Sequence, residues 1–461
     1  RVGERRAVNA AELKRERVRP LIRVDARDPA VVTEALVRAL NGGGPAVLPT
    51  AGAVPVSPSR NSDESLGLVP SDVVLVIETS GSTAEPKRVM LSAAALRASA
   101  AATHARFDEL FSDGQPADPT RQWLLTLPAS YVAGAQVLMR SILADTEPVV
   151  LGDEHFTAEG FARAASELTA DRRYVSLVPA QLARLLDAAD SEAGTGDVAQ
   201  AVARFDAILV GGQSLPSALR SRAKALGWNL ATSYGSSETS GGSLYNGEPL
   251  DGVKVRIRAG EVQLTGPVLA SGYLGDPIRT AASFIEEGGE RWYRTSDGGR
   301  LELDEGTGRE RLVVTGRLDN VIVSGGEKVL LDRVEGIVRQ LRGLEGAVVV
   351  AAPSEKWGQV PALVVESAAW GPNKGQSGAP AAQSSRNDPT EQGIHDDKSG
   401  AVLVDARELT ADVRWAEVRA ATAGAGRAAR PAVLVLVSRI PHLASGKPDR
   451  RALERMVRTL T

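Results

Sequence analysis

The sequence predicts an α/β protein: a large N-terminal domain of parallel α/β sheets with a small β-barrel subdomain, then a small α+β domain at the C-terminus. Three observations lead there. Up to about residue 250, short β-branched and aliphatic runs alternate with longer Ala-, Leu- and Arg-rich stretches. The rhythm then changes to short strands between Gly-rich turns, and a separate strand–helix block begins near Asn320. Alternating strands and helices imply a largely parallel sheet.

Val73–Ile77, Trp123–Leu127, Pro148–Leu151, Tyr174–Val178 and Ala207–Val210 read as buried strands, being compact apolar runs often flanked by Gly, Pro or Asp. Ser92–Leu110, Val132–Leu143, Ala158–Leu168, Ala180–Ala189 and Pro216–Leu226 carry the helical patterns between them. Val253–Ile257, Glu261–Thr265 and Arg311–Val314 suit a small β-barrel or a distorted antiparallel sheet. The last block offers a helix at Leu331–Leu341, strands at Ala347–Ala351 and Ala362–Glu366, a helix at Thr410–Ala423, a strand at Ala432–Val437 and a short terminal helix. The domains are therefore set at 1–318 and 319–461. Within the second, residues 371–400 are crowded with Gly, Pro, Ser, Gln, Asn and Asp; so little apolar surface cannot offset ordering entropy, and a disordered insertion is expected.

The 461 residues hold 54 Lys and Arg against 57 Asp and Glu, a net charge of −3, which argues against a general nucleic-acid binder. With no cysteine, disulfides, thiolate nucleophiles and zinc–thiolate sites are excluded. The four histidines have no metal-site spacing. No apolar run approaches the length of a membrane span, and the Arg-rich start lacks the apolar stretch of a secretory signal. A soluble cytoplasmic protein is the expectation.

Five segments carry chemistry. Thr79-Ser80-Gly81-Ser82-Thr83-Ala84-Glu85-Pro86-Lys87 follows a strand. Its small hydroxyl residues and Gly let backbone N–H groups close on a polyphosphate that Lys87 neutralises; it is not a Walker A loop. Ser233-Tyr234-Gly235-Ser236-Ser237-Glu238-Thr239 offers a ring to stack on a base and a carboxylate for Mg²⁺. Tyr293-Arg294-Thr295-Ser296-Asp297 and Gly316-Arg317-Leu318-Asp319-Asn320 supply an acceptor for ribose hydroxyls and a guanidinium beside it. Pro441-His442-Leu443-Ala444-Ser445-Gly446-Lys447 puts a cation on a Gly-hinged loop. Each segment alone also reads as an ordinary polar surface turn.

In this order and spacing, from Val73 to Leu453, the five segments resemble the adenylate-forming superfamily of acyl-CoA synthetases, luciferases and carrier-loading adenylation domains. The resemblance implies an enzyme that joins a small carboxylic acid to a thiol, with ATP and Mg²⁺ in the first step and CoA as co-substrate in the second. It assigns Thr79, Ser80, Gly81, Ser82, Thr83 and Lys87 to the phosphate loop, and Gly211, Gly212 and Gln213 to the adenine border. Ser233, Tyr234 and Gly235 fall to the base, Glu238 to Mg²⁺, Thr239 to phosphate, and Asp297 and Arg317 to the ribose. Asp319 would be the hinge of a mobile C-terminal domain, and Lys447 the catalytic cation, acting with Lys87 and Glu238. Ser324, Gly325 and Gly326 would approach acid and pantetheine, and Trp357 would meet CoA. A homodimer is one arrangement left open.

The early phosphate loop implies a shortened N-terminal domain. Leu127-Pro128-Ala129-Ser130-Tyr131-Val132-Ala133-Gly134 and Glu238-Thr239-Ser240-Gly241-Gly242-Ser243-Leu244-Tyr245-Asn246-Gly247 resemble the short actinobacterial o-succinylbenzoate–CoA ligases of menaquinone synthesis. Tyr131, Gly134, Gly241 and Gly242 would then line the acid pocket, the two last leaving room for an aryl group. Arg140 and the Ser240–Ser243 stretch are candidates for a second substrate carboxylate. Three departures stand out: Tyr131 where many relatives have His, Ser296 for the usual Gly, and Ala84-Glu85 in the phosphate loop. Glu85 would need to turn to solvent or pair with Lys87 or Arg88. The alternatives are a ligase for another aryl or medium-chain acid, an enzyme loading a carrier protein, and a silent nucleotide-binding scaffold.

Overall fold

A computed structural model describes residues 17–51, 66–79, 86–111, 119–152, 156–191, 197–306, 308–370, 402–405, 409, 412–443 and 447–461. Ser80, Gly81, Ser82, Thr83, Ala84 and Glu85 lie outside the described residues, as does the expected insertion at 371–400.

The N-terminal part holds two mixed sheets rather than purely parallel ones. In the six-stranded sheet, Val18–Asp25, Ala46–Thr50 and Val73–Thr79 run parallel, and Lys87–Ser92 turns back antiparallel to Val73–Thr79. The unit Val18–Thr50 had no counterpart among the expected elements. Its helix, Pro29–Leu40, starts where Asp28 accepts hydrogen bonds from the N–H groups of Ala30 and Val31, satisfying donors that a helix start leaves free. In the seven-stranded sheet, Val149–Val150, Arg121–Leu125, Arg172–Leu177, Ala207–Val210 and Leu230–Ser236 are parallel; Gly241–Tyr245 and Glu248–Pro249 add antiparallel strands.

One apolar core joins the two sheets. Leu75 and Ile77 from the first, Leu36, Leu96, Phe107 and Leu138 from three helices, and Trp123, Tyr174 and Tyr245 from the second belong to it. The other face of the second sheet is covered by Phe161, Leu182, Leu186 and Val202 around Ile208.

Where a small barrel or a distorted sheet was expected, the strands pair along an open antiparallel path. Lys254–Arg258, Glu261–Thr265, Glu290–Leu303 and Phe284–Glu287 lie side by side, and Glu310–Arg317 pairs with the long strand Glu290–Leu303.

The C-terminal part is one sheet with an apolar core on each face. Alternate residues of Val348–Ser354 point to opposite sides, as a strand requires: Val349 packs with Leu331, Val334, Trp415 and Val418, and Val348 and Val350 pack with Leu453 and Val457 of the terminal helix. Arg339 and Arg450 share the buried carboxylate of Glu335. Among the described residues, no helix is long and apolar enough to cross a membrane.

Candidate active site

Parallel strands end in loops that expose backbone donors at their carboxyl edge, where open α/β sheets bind ligands. Ala207–Val210 ends there in Gly211-Gly212, and Leu230–Ser236 ends in the turn Ser237–Thr239. Gly212 has φ +82°, and a Cβ on it would lie 3.6 Å from Val178 Cγ1 and 3.8 Å from Lys447 Cε. The small domain therefore delivers Lys447 to the strand ends of the large one.

Four of the expected groups meet in this cleft. Tyr234 donates from its hydroxyl to Asp297 Oδ2 at 2.6 Å. Asp297 and Arg317 are register partners across two strands, with Arg317 Nη1 at 3.6 Å from Asp297 Oδ1. Arg317 also grips Asp319 through two bonds of 2.8 and 2.6 Å. Burial raises the Asp297 pKa above the usual carboxylate value, opposed by the Tyr234 hydrogen bond and Arg317. Burial likewise raises that of Tyr234, helped by Asp297. The Arg317 hydrogen bonds pull Asp319 down, with Lys87 adding to the effect.

Lys447 is held by a turn in which Leu443 N–H donates to the Lys447 carbonyl at 2.8 Å and Asp449 N–H to that of Pro441 at 2.8 Å. The residue keeps solvent access, as a side chain in an open cleft does. Crowding at its ammonium still lowers its pKa: desolvation is the largest cause, Arg317 repels it, and Glu238 and Asp297 oppose both.

Glu238 is buried, and Tyr273 donates to its Oε1 at 2.9 Å. Lys87 stands 5.7 Å from the centre of the Tyr273 ring. Tyr273 thus couples the phosphate-loop lysine to the acidic turn. It escaped the sequence reading, because it lies on the two-residue strand Gly272–Tyr273, far along the chain from both segments. Thr79 and Lys87 face each other across the hairpin, and Arg88 pairs with Glu78 at 2.8 Å.

Other expected positions make contacts within the protein. Thr239 is fully buried, and its hydroxyl accepts from Ser236 N–H at 2.9 Å and donates to the Gly241 carbonyl at 2.8 Å. It braces the turn instead of facing phosphate. Gly242 leaves no room for an aryl group: a Cβ would meet Ser233 Oγ at 2.2 Å and Tyr245 Cε1 at 2.8 Å. Gly134 lets its helix close on the chain before it, with a Cβ falling 2.3 Å from the Pro128 carbonyl oxygen. Gly241 does border open contact distance, 3.4 Å from Gln136 Cγ and 3.9 Å from Val132 Cγ2. Tyr131 caps that helix, half-buried. Gln213 accepts from Arg339 of the small domain at 3.3 Å, an interdomain link beside the strand end. Gly325 packs on Trp357 within the small domain, where a Cβ would be 2.5 Å from the indole, whereas a Cβ on Gly326 would meet nothing within 4 Å.

Ser296 explains a departure. It sits at φ +59°, in the left-handed region where a Cβ costs roughly 1–2 kcal/mol. Ser296→Gly is expected to stabilise the fold by up to about 1 kcal/mol after the extra freedom of Gly when unfolded. Urea unfolding would read this, and a less stable variant would contradict it.

For Mg²⁺ the donor set fits a cation shared with substrate. Glu238 offers oxygen in a buried turn, and among the described residues no group of three acidic, His or Cys side chains forms a protein cage.

A cleft at parallel strand ends, with a buried acidic turn and cations from two domains, marks a nucleotide-using enzyme of the α/β class. Residues 7–274 match the family model described as AMP-binding enzyme. The chain belongs to that family, the AMP-forming acid–thiol ligases of the adenylate-forming superfamily. A Mycobacterium tuberculosis protein named probable 2-succinylbenzoate–CoA ligase is 38% identical over 343 residues, 73% of this chain and 82% of that protein. The 2-succinylbenzoate–CoA ligase of Salmonella typhimurium is 30% identical over 307 residues, 65% of this chain and 59% of its own. In fold, the chain resembles the o-succinylbenzoate CoA synthetase of Bacillus subtilis in complex with the intermediate OSB-AMP (TM-score 0.60, 20% identity, 94% of this chain and 83% of that one). It also resembles E. coli MenE with bound OSB-AMS (TM-score 0.62, 21% identity, 95% and 87%).

Proposed function

We propose that this enzyme activates o-succinylbenzoate with ATP and passes the acyl group to CoA. The observation that carries the two-step chemistry is the meeting of Lys447, Glu238, Asp297 and Arg317 around the strand ends, because no protein nucleophile is needed there. The names and coverage of the relatives support the choice of acid.

In the first step a substrate carboxylate oxygen bonds to the α-phosphorus of ATP, and the bond to the bridging oxygen breaks, releasing pyrophosphate. Asp297 holds the ribose hydroxyls and Arg317 lies beside it. Lys447 and Lys87 neutralise charge on carboxylate and phosphates, so catalysis is alignment plus electrostatics. Glu238 is the residue that would hold Mg²⁺, which when bound spreads the charge collecting on the leaving pyrophosphate. In the second step the CoA sulfur attacks the acyl carbonyl, its proton passes to solvent, and AMP leaves. The small domain, turning about Asp319, would then present Ser324–Gly326 and Trp357 to the thiol in place of Lys447.

The test is AMP release with ATP, Mg²⁺ and CoA across o-succinylbenzoate, benzoate and fatty acids. A clear preference for o-succinylbenzoate is expected. Preference for benzoate or a fatty acid would sink the choice of acid, AMP without CoA consumption would point to a carrier protein, and no AMP at all to a scaffold.

A further inference from the structure

The two domains meet along a short stretch of chain, and one buried guanidinium spans them. Gly212, Gln213 and Ser217 follow the strand Ala207–Val210 and each lies against the small domain. Gly212 borders Lys447, Gln213 Oε1 accepts from Arg339 Nη2 at 3.3 Å, and Ser217 Oγ donates to Gln340 Oε1. Arg339 is 9% exposed and caps the helix Leu331–Val338. Its own domain fixes it: Nε donates to the Glu345 carbonyl at 2.6 Å and Nη1 to Glu335 Oε1 at 3.4 Å. A guanidinium holds its N–H groups in a rigid planar fork. With two nitrogens anchored, the third points where the plane dictates, here across to Gln213.

Glu335 carries the connection further. Its Oε2 accepts from Val349 N–H at 2.9 Å and from Arg450 Nη2 at 2.7 Å. Arg450 opens the terminal helix shortly after Lys447. Asp332, in the first turn of the helix that Arg339 caps, accepts from Arg317 N–H at 2.9 Å and from Asn320 Nδ2 at 2.6 Å, and it lies 3.3 Å from Arg450 Nη2. The helix Leu331–Val338 thus ties together the strand end at Gln213, the foot of the loop bearing Lys447 and the crossing between the domains. These bonds differ in how readily they break. Those of Glu335 lie inside the small domain, and parting them would strand buried polar groups. The Arg339–Gln213 bond lies between the domains, and separating them returns both of its partners to water. It is the one that yields.

We propose that Arg339 is a positioning residue for adenylation: its bond to Gln213 holds the small domain in the orientation that brings Lys447 to the strand ends, and it lets go when the domain turns for thioester formation. This rests on the two-step reading above and deepens it. Arg339 touches no reacting atom. It acts through Glu335 and Arg450 on the placement of Lys447, so its influence falls on the first step alone.

The test measures the half-reactions separately, with whichever acid of the panel the wild type activates: exchange of labelled pyrophosphate into ATP, and conversion of supplied acyl-adenylate and CoA to thioester. Arg339→Met and Gln213→Leu are each expected to slow exchange roughly 10-fold, the scale of one hydrogen bond to a charged group, and to leave thioester formation near the wild-type rate. Gln213→Leu keeps every bond that Arg339 makes inside its own domain, so it decides the question if the Met variant fails to fold. The chain has no cysteine, so Ser217→Cys with Gln340→Cys can be joined at that one place by a short bis-maleimide. Closing this link should restore exchange in Arg339→Met and Gln213→Leu, because it supplies the orientation that the lost bond supplied. It should stop thioester formation in every background. A packing defect, or weaker adenine binding, would not respond to the link. Unchanged exchange in the variants, equal loss in both half-reactions, loss that the link does not restore, or undiminished thioester formation in the linked wild type overturns the assignment of Arg339 alone. Absence of exchange with every acid in the wild type overturns the functional reading together with it.

Discussion

Lys447→Ala is expected to lower adenylation by about 100- to 1,000-fold, the usual loss when a preorganised charge-stabilising group is removed. The same variant should convert supplied acyl-adenylate and CoA to thioester at close to the wild-type rate. The difference follows from where the residue comes from. Lys447 reaches the strand ends beside Gly212 from the small domain, and it feels the carboxylates of Glu238 and Asp297 there. Thioester formation needs no cation at that point once pyrophosphate has left. Equal loss in both half-reactions would remove Lys447 from its role. The pH profile offers an internal check. Desolvation lowers the Lys447 pKa, so the free enzyme loses this proton at a lower pH than an ordinary lysine would. Bound triphosphate favours the charged form and moves the loss upward. The basic limb of kcat/KM, which reports the free enzyme, should therefore fall at lower pH than the limb of kcat, which reports the complex. Coincident limbs would contradict this.

Gly235→Ala should be the most damaging conservative change in the cleft. A Cβ there would lie 2.0 Å from the Gly241 carbonyl oxygen and 2.8 Å from Gly242 Cα. Both obstacles are backbone, so no side chain can swing aside. The contact arises because the pairing of Leu230–Ser236 with Gly241–Tyr245 slips between Tyr234 and Gly235, drawing the strands together beside the acidic turn. Overpacking of this kind costs about 3 kcal/mol or more, a fall in Tm of roughly 6–12 °C for a large domain. Activity should drop further, since Tyr234 and Glu238 flank the site of strain. Gly43→Ala, where a Cβ meets nothing within 4 Å, is the control. A Gly235→Ala protein as stable as that control would show that the slipped register relaxes freely.

Much of this was legible in the sequence, and the gaps have physical causes. Val73–Thr79 is an apolar run covered on both faces, and such runs announce themselves. Val18–Asp25 buries only Leu21 and Val24 among arginines and a proline, so its pattern matches no simple period. Asp297 and Arg317 were proposed from short polar segments, and pairing of their two strands is what brings them together. Gly241 and Gly242 were not separable: the first faces a helix at contact distance, whereas the second makes way for Ser233 and Tyr245. A one-letter Gly does not say whether its empty space is left open or taken by a neighbour. Thr239 taught the same lesson for hydroxyls, since its oxygen is spent within its own turn. Tyr273 comes from a distant strand, and only folding brings it to Glu238.

The two apolar cores of the small domain bear on how force travels through the enzyme. A sheet clamped from both faces by Val349 and Trp415 on one side and Val348 and Leu453 on the other resists bending. The covalent link to the rest of the chain is the short crossing after Glu310–Arg317, where Asp319 and Asp332 grip the side chain and the backbone N–H of Arg317. In the proposed turn about Asp319 such a sheet would act as a stiff lever, and a few degrees of rotation at Leu318–Asn320 would become ångströms of travel at Lys447.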